Sequence, residues 1–405
     1  MKIAIIADPI DEQYAGIYVY AREFIQALER NNQGHEIVYV HMRPNTFFDG
    51  MKELIIPLRR SIPGWASIRK FFIMPWLFRR EKFDIVHDLS HIAPFTFWGG
   101  PYKRVITIHD LTPVLYPQWH IRASTIVHRI IFPFIFRRAD LVICDSEHTR
   151  EDVKANYKVR GRIEAVLLAA RSEVKPVDRS VATAKLLEKY SISGDFLLYV
   201  GTLEPRKNLG LLIDVYEQLR QRGSFAGKLV LVGKSGWFLS TFHERLGKMD
   251  PAIRSDIVLT GYVPDEDLSL FYSAAQVFLY PSFYEGFGLP PLEAMTCGCP
   301  VVVADNSSLP EVVNDGGILV PADDSGKWVE AVEQVLSDRA FRAKLSESAL
   351  AVSKRFTWDQ HVQTVVGMYD EICVIPVTRS SEASSRMGKT GIPAIGEARL
   401  RRRQK

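Results

Sequence analysis

Short unbroken runs of Ile, Val and Leu alternate along the first part of the chain with stretches whose apolar positions recur every three or four residues. The runs fall at 2–7, 35–40, 85–87, 105–109 and 141–144, and the clearest helical spacing at 17–30. An unbroken apolar run suits a strand covered on both faces, whereas a strand with one wet face alternates. Strand–helix alternation of this kind predicts βαβ units and a doubly wound parallel sheet. The theme then restarts. Runs at 196–200, 228–232, 257–259, 277–280 and 300–303 predict further buried strands, with helices at 210–222, 265–275, 290–296 and 309–314 between them.

The fold class is therefore α/β, with two doubly wound Rossmann-like domains at 1–172 and 196–357. The polar segment 173–195, with Pro176 and one short amphipathic stretch, reads as a linker. A final helix over 358–373 is expected to pack back on the first domain. Residues 376–405 have no apolar periodicity and are expected to be disordered. A ligand of such a pair sits in the cleft faced by the carboxyl ends of both sheets.

Composition narrows the function. A chain of 405 residues is long for one core and suits two domains. The four Cys are scattered, with no CxxC, which excludes a disulfide scaffold and a Cys-based zinc site. The net charge of +4 is misleading, because 376–405 alone carries +6 and leaves −2 for residues 1–375. The folded part thus gives no sign of nucleic-acid binding. The opening MKIAIIA is broken by Asp8-Pro9 before it makes a secretory signal, and no apolar run approaches the roughly 18 residues of a membrane span. The expectation is a cytoplasmic protein or one peripheral on the inner face of the cell membrane. Residues 59–82 hold seven basic side chains interleaved with Trp65, Phe71, Phe72, Trp76 and Phe78, against the single acid Glu81. That stretch and the basic tail could touch an anionic membrane; the aromatic face could equally pack in the core.

The chemistry concentrates at 280–300, YPSFYEGFGLPPLEAMTCGCP. A strand ends at Tyr280, a Gly-rich turn follows, and Pro290-Pro291 suit the first turn of a helix. A helix N-terminus of this kind favours an anion. Glu285 and Glu293 stand eight residues apart, a spacing that lets both carboxylates face one cleft and accept hydrogen bonds from sugar hydroxyls. Upstream, GTLEPRKN places Arg206 and Lys207 just after a predicted strand, where cations could stabilise a departing diphosphate. His109 and Asp110 end another strand. Gly233-Lys234-Ser235 is no Walker loop, since its first Gly is misplaced, and the first strand lacks GxGxxG. Ser146 reads as a helix cap.

EGFGLPPLEAMTCGCPVV resembles the donor-binding signature of the retaining glycosyltransferases of family 4, and the chain is identified as a member with the GT-B fold. By that resemblance Glu285 reaches donor-sugar hydroxyls, Glu293 holds the nucleotide ribose, and the backbone at Phe287, Gly288 and Leu289 holds sugar and phosphate oxygens. The loop after Gly201 grips the diphosphate through Arg206 and Lys207. Gly261, Tyr262 and Val263 line the base pocket through their backbone. His109 sits beside the donor sugar. Gly16 approaches the diphosphate or acceptor, although Ala15 stands where relatives usually have a first Gly. The resemblance implies no metal and no cofactor, a nucleotide-diphosphate sugar as donor, a glycan or lipid-linked acceptor, and a place in cell-surface polysaccharide or glycolipid synthesis. The phrasing GKSGW, GYVPDED and SSLPEVV is similar to mannosyltransferase-like members, which points to GDP-mannose, with UDP-sugars as the alternative. An inactive nucleotide-sugar-binding scaffold, or an epimerase or phosphorylase of the same fold, stays open.

Overall fold

The computed structural model describes residues 1–374 except 14, 60, 96–99 and 237–239. Tyr14, Arg60, Trp237 and the 376–405 tail therefore lie outside the described residues. The first sheet consists of β1 (Lys2–Ile6), β2 (Glu36–His41), β3 (Glu53–Ile55), β4 (Ile85–Asp88), β5 (Lys103–Ile108), β6 (Leu141–Cys144) and β7 (Arg162–Ala165). The second consists of β8 (Phe196–Val200), β9 (Lys228–Val232), β10 (Ile257–Gly261), β11 (Val277–Tyr280), β12 (Val301–Ala304) and β13 (Ile318–Val320). The spatial orders are β3-β2-β1-β4-β5-β6-β7 and β10-β9-β8-β11-β12-β13, with parallel pairing throughout. Each order reverses once, between β1 and β4 and between β8 and β11. A crevice opens at such a reversal because the connections on its two sides leave in opposite directions.

The central strands are the apolar runs of the sequence, and every residue of β8, β11 and β12 is buried. Alternate side chains feed opposite faces. From β1, Ile3 and Ile5 join one core while Ala4 and Ile6 join the other. Strands β3, β7 and β13 escape the apolar-run criterion. They are edge strands of three or four residues, and ELI and RIEA carry charge.

The segment 173–195 is not a bare linker. It contains the helix Arg179–Tyr190, whose Ala182 and Leu186 belong to the core of the second domain with Val174 and Ile192. The amphipathic stretch was too short to mark a domain element by itself; packing against the Leu268–Ala274 helix made it one.

The helix Trp358–Val374 returns to the first domain and packs on the Ala15–Asn31 helix. Trp358, Val362, Val365, Val366, Tyr369 and Ile372 enter that core. A buried polar chain fastens it: the Tyr369 hydroxyl meets His87 Nδ1 at 2.5 Å, His87 Nε2 meets Thr107 Oγ1 at 2.9 Å, and Thr107 meets the Tyr20 hydroxyl at 3.0 Å. Burial pushes the His87 pKa down to about 3, so the ring is neutral and keeps one donor and one acceptor for its two neighbours.

Tyr369→Ala should therefore cost about 3–5 kcal/mol in equilibrium urea unfolding, from the lost burial. Tyr369→Phe should cost only about 1–3 kcal/mol, the penalty of leaving His87 with an unmatched nitrogen. Native stability in Tyr369→Phe would remove the polar chain from the account.

Candidate functional site

The loops after β8 and β11 leave the second sheet on either side of its reversal. The first carries Arg206 and Lys207, the second Glu285, and they are laced together by the Phe283 amide donating to the Arg206 carbonyl at 2.9 Å. Gly201 leaves β8 at φ +153, and a Cβ on the neighbouring Gly233 would lie 2.0 Å from the Gly201 oxygen, so both turns are backbone against backbone. The Leu289–Thr296 helix begins at Gly288, whose φ of +115 suits glycine, with Leu289 and Pro290 opening its first turn.

Glu285 is the centre of this arrangement. Lys207 Nζ lies 2.6 Å from its Oε1 and Arg206 2.8 Å from its Oε2, and the Ser282 hydroxyl donates to Oε1. Lys207 also donates to the Tyr280 hydroxyl at 2.7 Å. Arg206 donates to the Tyr284 carbonyl at 2.7 Å and to Glu204 at 2.8 Å. Burial alone would raise the Glu285 pKa, but Arg206 and Lys207 outweigh it and hold the carboxyl at about 2. Burial and the adjacent Arg206 lower the Lys207 pKa, with Glu285 acting against them. The group is a carboxylate clamped between two cations, themselves held by further acceptors.

Glu293, predicted to share a cleft with Glu285, is held by a separate set of partners. It is fully buried, receives the Tyr272 hydroxyl at 2.9 Å, and lies 2.7 Å from Arg171 Nε in an ion pair too bent for a good hydrogen bond. Burial raises its pKa; Arg171 and Tyr272 oppose the shift. Arg171 also pairs with Asp265 at 2.7 Å, and Asp265 meets Arg22 of the Ala15–Asn31 helix at 3.4 Å. Glu293 is thus one end of an ion chain that reaches the first domain.

His109 follows β5, and Asp145 follows the neighbouring β6. The His109 Nδ1–Asp145 distance is 2.6 Å, and Nε2 meets the Leu89 carbonyl at 3.0 Å. Burial would lower the ring's pKa, yet Asp145 outweighs it and the net shift is upward. Both nitrogens face acceptors, the pattern of an imidazolium. Beside it His91, its pKa driven down to about 3 chiefly by burial, is neutral and accepts the His109 amide at 3.2 Å.

The two domains meet where these groups lie. A Cβ on Gly286 would sit 1.8 Å from the His109 carbonyl oxygen. Thr149 donates to the Gly286 carbonyl at 3.1 Å, and Tyr284 donates to Asp152. Phe287 and Leu292 of the second domain enter the first domain's core. Alongside, Asp110, Thr112, Trp119, His120, Glu204, Pro205 and Arg206 enclose a cavity of ≈ 120 Å³ between the domains. Asp110 caps its own turn, accepting the Thr112 amide at 2.9 Å.

Of the remaining sequence-derived site residues, Gly16 begins the Ala15–Asn31 helix, and a Cβ there would meet nothing within 4 Å. The protein's own packing does not require a glycine at that place. Gly261 has φ +70, and its carbonyl accepts the Gly233 amide at 2.9 Å. Tyr262 is exposed with Lys234 Nζ 4.6 Å from its ring centre, and the Val263 side chain is core, so only its backbone can serve a ligand. Ser146 does cap its helix, accepting the Thr149 amide at 3.0 Å. Sequence reasoning missed Asp145, Arg171, Glu204, Tyr272 and Ser282. Asp145 could have been found, since it holds the same post-strand position as His109 one strand over. Nothing around Arg171 marks it.

Comparison with known proteins agrees in both halves. Residues 188–352 match the family described as glycosyl transferases group 1, and 14–167 match glycosyltransferase family 4. O-antigen chain mannosyltransferase B of Escherichia coli is 31% identical over 392 residues, covering 91% of this chain and 99% of that protein. The serotype-specific mannosyltransferase WbdA of Escherichia coli is 30% identical over 275 residues, 67% of this chain and 34% of the longer relative. Among solved structures, sucrose-phosphate synthase from Thermosynechococcus elongatus aligns with TM-score 0.71 at 19% identity, covering 92% of this chain and 99% of that one. Anabaena HepE in complex with UDP-glucose aligns at 0.71 with 17% identity, over 92% and 100%. These likenesses show the two-domain GT-B fold.

Two outcomes test the geometry. Gly286→Ala should part the domains, read as a larger radius of gyration in small-angle scattering; an unchanged profile would mean that the interface relaxes around the methyl group. The Glu285 pKa is depressed in the folded state, so its share of stability is complete above the usual carboxylate value of about 4.3. That share is lost as pH falls through about 2. Stability measured against pH should show this acid limb in the native chain and lack it in Glu285→Gln.

Proposed function

The chain belongs to glycosyltransferase family 4, and from that premise we propose that it transfers mannose from GDP-mannose to an acceptor hydroxyl with retention of configuration and without a metal. The observation that carries the proposal is the Glu285–Arg206–Lys207 cluster at the reversal point of the second sheet, 2.6–2.8 Å across its ion pairs, facing the first domain. A diphosphate entering between the loops competes for Arg206 and Lys207. As it takes them, Glu285 is released to accept hydrogen bonds from the sugar. Charge on the leaving phosphate grows in the transition state, so these cations act there more strongly than on the bound donor. The step itself breaks the bond from the anomeric carbon to the phosphate oxygen. A bond from the same carbon to the acceptor oxygen forms on the same face, and the acceptor proton passes to the departing phosphate. In this reading His109 stands beside the sugar on the opposite wall, its ring fixed by Asp145 and the Leu89 carbonyl.

Glu293 supports the ribose in this reading, with its orientation set by Arg171 and Tyr272. The sugar and base rest on the likeness to the O-antigen mannosyltransferases, which also supports polysaccharide synthesis with a glycan acceptor, lipid-linked when it grows at the inner membrane face. Among the described residues no cluster of three or more His, Cys, Asp or Glu is arranged to hold a metal ion.

Turnover with a panel of GDP- and UDP-sugars should select GDP-mannose, with the anomer of the product matching that of the donor. Lys207→Ala and Glu285→Ala should each lower turnover by about 10²–10³-fold. Native turnover in both variants would overturn the site assignment, and donor binding without turnover in the native chain would overturn transfer itself.

A further inference from the structure

One face of the first sheet is covered by two helical segments. Trp65–Ile68, Arg69–Ile73 and Met74–Arg80 run on as the first, with a π-helical turn in the middle, and Arg122–Phe136 is the second. Both plant residues in the same core: Met74 and Phe78 from one, Phe132, Ile135 and Phe136 from the other, packed on Val38, Val86, Ile106 and Val142. Their outer sides therefore look the same way.

Those outer sides are apolar. Ile68, Phe72 and Trp76 form an i, i+4, i+8 stripe on the first, and Ile126, Ile130 and Phe134 repeat it on the second. Trp76 is 58% exposed, Ile130 59%, and Ile121, just ahead of the second helix, 72%. Scattered exposed apolar side chains are normal in a globular protein, whereas two apolar stripes on helices that cover one face of a sheet make that face apolar as a whole. The charges around it are mostly basic, and Glu81, beside the first stripe, is paired with Lys2 at 3.3 Å. Arg59, Arg79, Arg80 and Lys82 flank the first stripe, and Arg122, Arg129 and Arg137 the second, all exposed. Residues 111–139 contain no acid at all. The basic stretch also divides by task. Arg69 is buried in a two-pronged pair with Asp8 at 2.7 Å and Lys70 meets Asp88 at 3.5 Å, while the remaining described cations turn to solvent.

We propose that this face docks on an anionic lipid bilayer, with both stripes sunk to the level of the headgroups and the arginines at the phosphates. A protein partner would need acidic residues matching both helices. A bilayer surface supplies negative charge over apolar chains continuously, which fits a patch of this chemistry. No helix among the described residues is long and apolar enough to cross a membrane, so the contact is one of lying on the surface. The patch also continues into the cleft. Ile121 follows His120, which lines the interdomain cavity with Trp119 and Asp110. A lipid-linked acceptor held in the bilayer would thus present its sugar next to the site. This last step rests on the proposed transferase reading; the docking surface does not.

The test uses the full chain and vesicles of phosphatidylcholine with or without phosphatidylglycerol, read by co-sedimentation. The native chain should bind only the phosphatidylglycerol vesicles, and less as salt rises. Trp76→Ser with Ile130→Ser, and separately Arg79→Glu with Arg129→Glu, should each weaken binding by about tenfold or more. Circular dichroism should confirm that both fold, and donor turnover with a soluble acceptor should stay native. That last readout separates failure of docking from failure of the transferase reading. Deletion of 376–405 should leave most of the binding. The proposal is overturned if the native chain ignores anionic vesicles or both folded variants bind like native. It is equally overturned if tail deletion alone abolishes binding, or if the same substitutions dissolve a dimer of this chain instead.

Discussion

The His109 carbonyl oxygen occupies the place that a side chain at Gly286 would need; a Cβ there would lie 1.8 Å away. Because Gly286 has none, the turn between β11 and its helix can press against the end of β5. Everything at the cleft hangs on that approach. It brings Glu285 opposite His109, lets Thr149 reach the Gly286 carbonyl, and carries Phe287 and Leu292 into the core of the other domain. The contact is between backbones, so it tolerates little change in geometry on either side.

Around this contact the charged groups are buried, and each is held by specific partners. Two cations and a carboxylate are costly to desolvate, and the cost is offset only when every polar atom finds a partner. Here Glu285 is met by Arg206, Lys207 and Ser282, and Arg206 in turn by Glu204 and Tyr284. Such a cluster is stable yet exchangeable, since an incoming phosphate can replace one carboxylate oxygen by another anion of the same kind. Glu293 answers to a different set. Its chain through Arg171, Asp265 and Arg22 crosses from the donor helix to the first domain, so the seating of one domain on the other is felt at a second carboxylate of the site.

The first domain has two covered faces with different duties. One is sealed by the returning Trp358–Val374 helix, whose Tyr369 ends a polar chain running through His87 and Thr107 to Tyr20, a ring that stands 4.8 Å from His109. The other is covered by helices with apolar residues on both sides. The site lies at the end of the first domain's sheet, where the second domain meets it.

The apolar runs by themselves determined two doubly wound parallel sheets, because a strand covered on both faces must be apolar at consecutive positions. The residues of the Gly turn, Glu285, Arg206 and Lys207 were legible because they directly follow such strands, where any parallel sheet exposes its chemistry. Only the tertiary structure decided the rest. The edge strands β3 and β7 carry charge and are defined by their pairing with neighbours, and β13 is an apolar run only three residues long. The stretch read as a linker became a helix of the second domain when it found a surface to cover. Glu293 is paired with Arg171, which is near it only after folding. Phe71 and Phe78 went inward while Phe72 and Trp76 went outward, a division that depends on which side of the helix meets the sheet. Spacing along a chain records local periodicity. Contacts between residues distant in sequence depend on how the elements stack, and no short-range pattern carries that information.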